Sequence, residues 1–516
     1  MEENSGPELC TVIENSGRQL RGEREVMLLP AQVAIVFLPN HGEVDAAERS
    51  DVAFLNVSST RTSMPASDCW NRASVQELRS WHAIGSCKGI EFCMRRLRPC
   101  REGAATGDQM KILVLNPGGN SLKVEVVVCL PGQTHAFEGR KLLSVSMEGI
   151  GSDPKFLRYE GKKVVETEEA AAESYEQAAA NILARMHNDR RHGGFELGPI
   201  DCVGVRVVHG GSEFGAPAEI TAEVEAKIVS FERLAPLHNK SSVEILGPIR
   251  KQLPNVPIYA VFDTAFHRTI PEYAARYAIP LQLADKHGIR RYGFHGIAHR
   301  YLLERYAAIA GKPVEDCNLV SMHLESGCSV TAIRNGKSID NTMGLTPLEG
   351  LMMGTRSGDI DPSVLPLLVN DEGMTIDEVM TMLNKESGLK GVSQLSLDTR
   401  VLMKHYNSDP KVKLAMDMFS YRLLKAVGAQ LAAVGSAEAI IFGGGIAENT
   451  SLVRSVIGDG LRWCGFWLDA EANRNVIDRE GRLSTQESPL QAWVIPAEEG
   501  LQIAHECCGA FNACRS

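Results

Sequence analysis

The sequence carries no basic tract. Its 54 lysines and arginines are outnumbered by 64 acidic residues, for a net charge of -10. That balance argues against nucleic acid or an anionic membrane as a partner. There is no CxxC pair either. Thirteen cysteines stand at irregular spacing, and Cys507, Cys508 and Cys514 lie near His505 without forming a ligand pattern. They read as reduced, mostly buried thiols of a cytoplasmic protein rather than as a metal site. Long apolar runs are missing too. The longest near the start, VMLLPAQVAIVFLP from Val26 to Pro39, contains Pro30 and follows acidic residues. It is too short to span a bilayer and lacks the basic region of an export signal. Walker A and GxGxxG signatures are absent, so no single phosphate-binding rule applies.

What is present is ample apolar material. Hydrophobic residues make up 44% of the 516-residue chain and charged ones 23%, enough for a large soluble core in two or three domains. Residues 1–109 hold five of the cysteines and show no long periodic segment. They are expected to lack a packed core and to take no part in any chemistry of the rest. From Met110 onward, strand-like runs such as ILVLN, VGVRVVH, IYAVFD and LVSMHL alternate with helical ones, as in an α/β protein. The Ala/Glu-rich stretch 167–186, with Tyr175, Ile182, Leu183 and Met186 at helical spacing, predicts a helix. A second helix is expected over 411–434, leading into the strand AIIFGGG. ILVLNPGGNSLKVEVV and LVSMHLESGCSVTAI are both strand, small-residue turn, strand. That weak repeat fits a duplicated domain, each half giving one turn to a central cleft.

Those turns are the first candidates for chemistry. A phosphate needs converging backbone N–H groups, and only small residues let the backbone come close enough. Asn116 to Ser121 and Glu325 to Ser329 offer this, and GGGIAEN, from Gly443 to Asn449, lies between a strand and a helix-like segment. Each turn alone also reads as a plain hairpin. Arg206 in RVVHGG and Arg356 in MGTRSGD stand beside glycines, where a guanidinium forks to phosphate or carboxylate oxygens; an ion pair is the alternative. Histidines in RVVHGG, PLHN, YGFHG and SMHLESG sit at strand ends or turns, where a structural role is the commoner one. Asp263 and Glu499 each follow an apolar strand, the placement of a cleft-facing carboxylate for Mg²⁺ or of a helix cap.

Taken in order, NPGGNSLK, RVVHGG, LAPLHN, AVFDTAFH, IRRYGFHGIAHRY, TPLEGLMMGTRSGDIDP, FGGGIAEN and VIPAEEGLQIA resemble the acetate kinase family of the acetate-and-sugar-kinase, Hsp70 and actin superfamily. The resemblance covers Met110 to the end; nothing in 1–109 shares it. It implies two α/β domains of duplicated actin-like, ribonuclease H-like topology with a central cleft, one over 110–264 with 500–516, the other over 265–499 with the nucleotide pocket. It implies a cytoplasmic homodimer that moves the γ-phosphoryl group of ATP to acetate, reversibly and directly, with Mg²⁺ or alternatively Mn²⁺. By the same resemblance Asp263, Arg206, Arg356 and His295 are catalytic, with His295 and Arg356 stabilising the transition state. Arg206, Val208, Leu237, His238, Phe294 and Pro347 bind acetate. Asn116, Ser121, Lys123, His323, Ser326, Gly327, Asp398, Arg400, Gly445, Ile446 and Asn449 bind the nucleotide, and Asn116 and Glu499 the metal.

The motifs depart from the family's in the phosphate region. Pro117, Gly119 and Asn120 replace Ala, Ser and Ser; Glu325 and Ser326 replace Gly and Asn; Ala447 replaces Gly; EEGL around Glu499 replaces NEEL. They bear on nucleotide affinity more than on the acceptor. Two other readings stay open: a kinase of the same family for propionate or butyrate, and a nucleotide-binding sensor without catalysis.

Overall fold

The computed structural model describes residues 109–130, 132–188, 199–232, 234 and 239–515, with three short strands nearer the start. The chain divides into two compact units, Met1–Gly107 and Asp108–Ser516. In the first, β1 (Met27–Leu29), β2 (Gln32–Ile35) and β3 (Ala53–Leu55) form an antiparallel sheet. Within the apolar run, Met27–Leu29 and Gln32–Ala34 pair as antiparallel strands. The rest of 1–108, and with it the expectation that this stretch lacks a core, lies outside the described residues.

The second unit holds two mixed sheets. The first has the order β10-β11-β9-β4-β5-β6-β7-β8, from β4 (Met110–Pro117), β5 (Ser121–Cys129), β6 (Arg140–Glu148), β7 (Lys155–Glu160), β8 (Lys163–Glu169), β9 (Cys202–Val207), β10 (Ala218–Glu219) and β11 (Ile258–Phe262). The second has the order β14-β13-β12-β15-β17-β16, from β12 (Leu319–Leu324), β13 (Cys328–Arg334), β14 (Lys337–Asn341), β15 (Ala439–Gly443), β16 (Gly481–Arg482) and β17 (Gln491–Val494). The two orders are the same. Each has an antiparallel meander (β4-β5-β6, β12-β13-β14), then two strands parallel to its first (β9 and β11, β15 and β17), then a short antiparallel edge strand. The weak sequence repeat is therefore a duplicated fold, with β7 and β8 added at one edge.

Alternation along the strands sets the layers. On β4, Leu113 and Leu115 enter a core with the helix Tyr175–Asn188, while Ile112 and Val114 face another with Ile297, Leu302, Ile503 and Cys507. That second core also takes Leu319, Ile333, Ala439 and Ile441 of the other sheet. The helices Gly296–Ala310 and Glu499–Arg515 pack on each other within it. Glu499–Arg515 lies on β4, β5 and β9 of the first sheet, and Gly296–Ala310 on β12 and β15 of the second.

The helix expected over 411–434 is Pro410–Val434, capped by Asp409. The one expected over 167–186 is shorter: Thr167–Glu169 close the β7–β8 ladder, and the helix starts only at Tyr175. Cross-strand pairing overrides the helical propensity of the Ala/Glu-rich stretch there.

Candidate active site

Three parallel strands of the first sheet end side by side, and each delivers a polar group at its carboxyl end. Asn116 comes from β4, Arg206 from β9, and Asp263 directly follows β11. Arg206 donates from Nε and Nη2 to Asp263 Oδ2 (2.9 and 2.6 Å), and from Nη1 to Asn116 Oδ1 (3.0 Å). Asn116 Nδ2 donates in turn to Glu499 Oε2 (2.7 Å). The second sheet repeats the pattern. His323 stands one residue before the end of β12, in register with Gly443 of β15, and Glu499 follows β17. His323 Nε2 stands 3.8 Å from Glu499 and 3.9 Å from Glu325. The cleft is thus walled by the carboxyl ends of parallel strands from both sheets, where open α/β sheets bind ligands.

Asp263 is fully buried, and its second oxygen, Oδ1, has no hydrogen-bond partner. Burial pushes its carboxyl above the ordinary range, Arg206 works against this, and Glu499 adds to it. Glu499 goes the other way. Burial opposes its charge, but Arg206, His323, the Asn116 amide and Lys123 outweigh burial and hold it below the usual carboxylate value. Arg206 is more firmly charged than an ordinary arginine, because Asp263 and Glu499 outweigh its burial.

The YGFHG segment explains its glycines. Gly293 has φ 73°, and a Cβ there would lie 2.7 Å from the His267 ring. A Cβ on Gly296 would lie 2.2 Å from the Asp263 carbonyl, which accepts the Gly296 N–H (2.9 Å). Between them His295 adopts φ 59°, the left-handed conformation that a non-glycine residue seldom takes. Its Nδ1 meets Ser329 Oγ at 2.8 Å; Ser329 also touches His299 Nε2 (2.8 Å), and His299 Nδ1 touches Ser321 Oγ (2.7 Å). Burial, with His323, Arg206, His299 and Arg356 nearby, drives the His295 pKa far below its ordinary value, so the ring is neutral at neutral pH.

Gly327 joins this wall to Arg356: a Cβ there would lie 3.2 Å from His295 Nε2 and 3.3 Å from Arg356 Nη1. Arg356 Nη1 also donates to the Pro347 carbonyl (3.4 Å). Burial lowers its pKa, and the charge of Arg206 adds to that. Val208 and Phe294 enter one buried cluster with Met343 and Met353, and Pro347 is buried. Leu237 and His238 lie outside the described residues.

The nucleotide candidates converge less tightly. Gly444 (φ 84°) abuts Leu324, directly before the Glu325–Gly327 turn. Ser326 accepts the Gly354 N–H (3.1 Å), and Gly354 faces Leu397. Asp398 and Arg400 bind each other (2.8 Å), with the Arg400 side chain 83% exposed. Thr399 Oγ1 meets Thr450 Oγ1 at 3.5 Å, which brings that segment beside Asn449. Asn449 Nδ2 donates to the Gly445 carbonyl and Ile446 is buried. Ser121 closes the first turn through its carbonyl, which accepts the Gly118 N–H (2.7 Å), and Lys123 pairs with buried Glu125 (3.3 Å). Burial opposes the Lys123 charge, but Glu125, Glu498 and Glu499 hold its pKa above the ordinary value.

Sequence reading assigned no role to His299, Glu125, Lys162, Glu448 or Arg454. His299 reaches Ser321 and Ser329, and Lys162 reaches Glu448 and Asp478, far along the chain, and no local spacing marks any of the five. His209 of RVVHGG is structural: it accepts the Gly211 N–H (3.0 Å) and packs on Tyr292 and Phe294.

The model of the acetokinase family matches residues 111–505. An acetate kinase of Chloroherpeton thalassium is 41% identical over 408 residues, 77% of this chain and 98% of that protein. The crystal structure of an acetate kinase from Porphyromonas gingivalis is 36% identical with a TM-score of 0.68, over 78% of this chain and 99% of its own. The crystal structure of a propionate kinase from Francisella tularensis is likewise 36% identical, with a TM-score of 0.69, over 77% and 98%. With its family match spanning the whole of this two-sheet cleft, the chain belongs to the acetokinase family.

Proposed function

We propose that the chain transfers the γ-phosphoryl group of ATP to acetate, reversibly, giving acetyl phosphate and ADP. The observation that carries this reading is a buried cleft at the strand ends, with Arg206 fixed by Asp263 and Asn116 in one wall and His295 and Arg356 both against Gly327 in the other. Acetate is ionised at neutral pH, so no base has to deprotonate it. The obstacle is bringing two anions together, and phosphoryl transfer is mainly positioning and neutralisation of spread charge. Arg206, fixed by Asp263 and Asn116, presents the guanidinium that orients the carboxylate. Arg356 meets charge developing on the group in flight. His295 adds a hydrogen bond without adding a charge. Val208 and Phe294, which share one buried cluster, together with buried Pro347 would give the small apolar wall for the methyl group.

The donor set fits a hard dication. Mg²⁺ takes one or two carboxylates together with phosphate oxygens, and Asp263 has a buried Oδ1 without a partner next to Glu499. These two carboxylates would hold Mg²⁺ or Mn²⁺, which neutralises phosphate charge when bound. Asn116, the other residue proposed for the metal, has its oxygen engaged by Arg206. The reading also takes a cytoplasmic homodimer. Among the described residues no helix is long and apolar enough to cross a membrane.

A second acceptor is favoured by the likeness to the propionate kinase structure. An apolar pocket separates acids that differ by one methylene only by roughly 10–200-fold. Hydroxamate trapping of acyl phosphate with ATP and acetate, propionate or butyrate tests both readings. Acetate with the highest kcat/KM is the expected result, and no acyl phosphate from any of the three would sink the proposal. Arg356→Ala should lower kcat on the order of 100-fold, with a smaller change in the KM for ATP. A near-normal kcat would remove Arg356 from the chemistry.

A further inference from the structure

The β7–β8 hairpin is the part of the first sheet with no counterpart in the second. Its turn, Gly161 (φ 58°) and Lys162, reaches the other half of the fold. Lys162 Nζ donates to Glu448 Oε2 (2.8 Å), to Asp478 Oδ1 (2.7 Å) and to the Asp478 carbonyl (3.4 Å). An ammonium has three protons, and all three acceptors belong to the half built on the second sheet. Burial opposes the Lys162 charge, but Asp478 and Glu448 outweigh it.

Glu448 is no ordinary surface partner. Its side chain is 7% exposed, and it stands in the helix Gly445–Asn449, within GGGIAEN. Its other oxygen, Oε1, accepts the N–H of Gly444 (3.0 Å) and of Ala497 (3.4 Å). One carboxylate thus ties the glycine turn after β15 to the segment that carries Glu499. From within its own half the helix is also held by Arg454, which is fully buried and donates to the carbonyls of Ala447 (2.8 Å) and Glu448 (2.7 Å). Across the cleft, Lys162 contacts this carboxylate directly.

We infer that Lys162 is a positioning residue for the nucleotide: from the opposite half it fixes the Glu448 carboxylate, and so the Gly443–Asn449 turn, in the form that meets the phosphates. This rests on the proposed reading of that turn as part of the nucleotide site. Lys162 neutralises a buried carboxylate beside a polyanion site, and its contact couples the relative placement of the two halves to the shape of the turn. Nucleotide binding and the Lys162 contact therefore favour the same arrangement, and by linkage each strengthens the other.

Steady-state kinetics with Lys162→Met and Lys162→Gln, and with Lys162→Arg as the conservative variant, test it. The KM for ATP and for ADP should rise about 5-fold or more, with the KM for acetate unchanged and substantial recovery in Lys162→Arg. Hydrogen exchange gives a readout that a merely structural role would not move. Adding Mg·ADP should protect the 155–169 hairpin in the native chain and not in Lys162→Met. Two neutral variants with unchanged nucleotide KM, or nucleotide and acetate KM values that rise together, overturn the inference; so does hairpin protection that survives in Lys162→Met. If the native chain makes no acyl phosphate from ATP, the reading of the site fails instead, and Mg·ADP protection then tests the coupling alone: its absence in the native chain overturns it.

Discussion

At the residue scale, His267 couples the site to pH. Its Nε2 faces the Phe294 carbonyl (2.9 Å) and its Nδ1 the Ser338 hydroxyl (2.8 Å), in full burial. Burial, opposed by that carbonyl, lowers its pKa from 6.5 to about 4. A histidine kept neutral by folding gives stability that is complete above its ordinary pKa and is lost as pH falls toward the folded value. The window is therefore pH 6.5 down to about 4. His295 and His299, both pushed well below their ordinary value, act in the same direction. Urea unfolding should show about 2 kcal/mol less stability at pH 5 than at pH 7 from His267 alone, and His267→Gln should flatten that slope. A slope unchanged by the substitution would mean that His267 is already charged in the fold. Residues of this kind are hard to read from sequence. Arg206, Asp263, His295 and Arg356 stood out because each is polar beside glycine or at a strand end. Ser329 was marked only as the end of a small-residue turn, not as the partner of His295, and His299, inside a helix, carries no local mark at all.

At the scale of elements, glycines decide where the candidate catalytic side chains stand. Gly296 lets the helix Gly296–Ala310 start against the Asp263 carbonyl. Gly296→Ala places a methyl group into rigid backbone. It should cost about 2 kcal/mol or more and lower kcat, because Asp263 and His295 flank the displaced contact. Gly428, inside the helix Pro410–Val434, has open space around its Cβ position. Gly428→Ala should instead stabilise by about 0.5–1 kcal/mol with kcat unchanged. Thermal melts and kcat for the pair separate the two cases, and equal effects would refute the assignment. Glu325, where the family has glycine, is not left-handed, so its turn tolerates a side chain. Strand–turn–strand units and the helix before AIIFGGG were legible because hydrophobic period and turn residues agreed. The stretch around Thr167 was not, since propensity pointed to helix while pairing across the β7–β8 ladder decided for strand. Lys162, in a hairpin crowded with charge, gave no signal that its partner would be a buried glutamate 286 positions away.

For the whole molecule, the division at Gly107 and the family match from residue 111 point the same way. A chain beginning at Met110 should be soluble, dimeric and as active as the full chain, by size-exclusion chromatography and hydroxamate assay. Loss of activity or solubility would show that residues 1–109 support the catalytic fold. The duplicated sheets were foreshadowed by two similar turns, but their shared middle layer was not. The helix Glu499–Arg515 lies on β4, β5 and β9, strands that precede it by most of the catalytic unit. A ribosome therefore releases the first sheet long before it makes the helix that covers one of its faces. Until then Ile112, Val114 and Cys202 have no lid from that helix, and the nascent first half stays exposed to chaperones and to misassembly. Assembly of the cleft waits for Glu499 itself, because only then can the Asn116 amide at the end of β4 find its carboxylate partner.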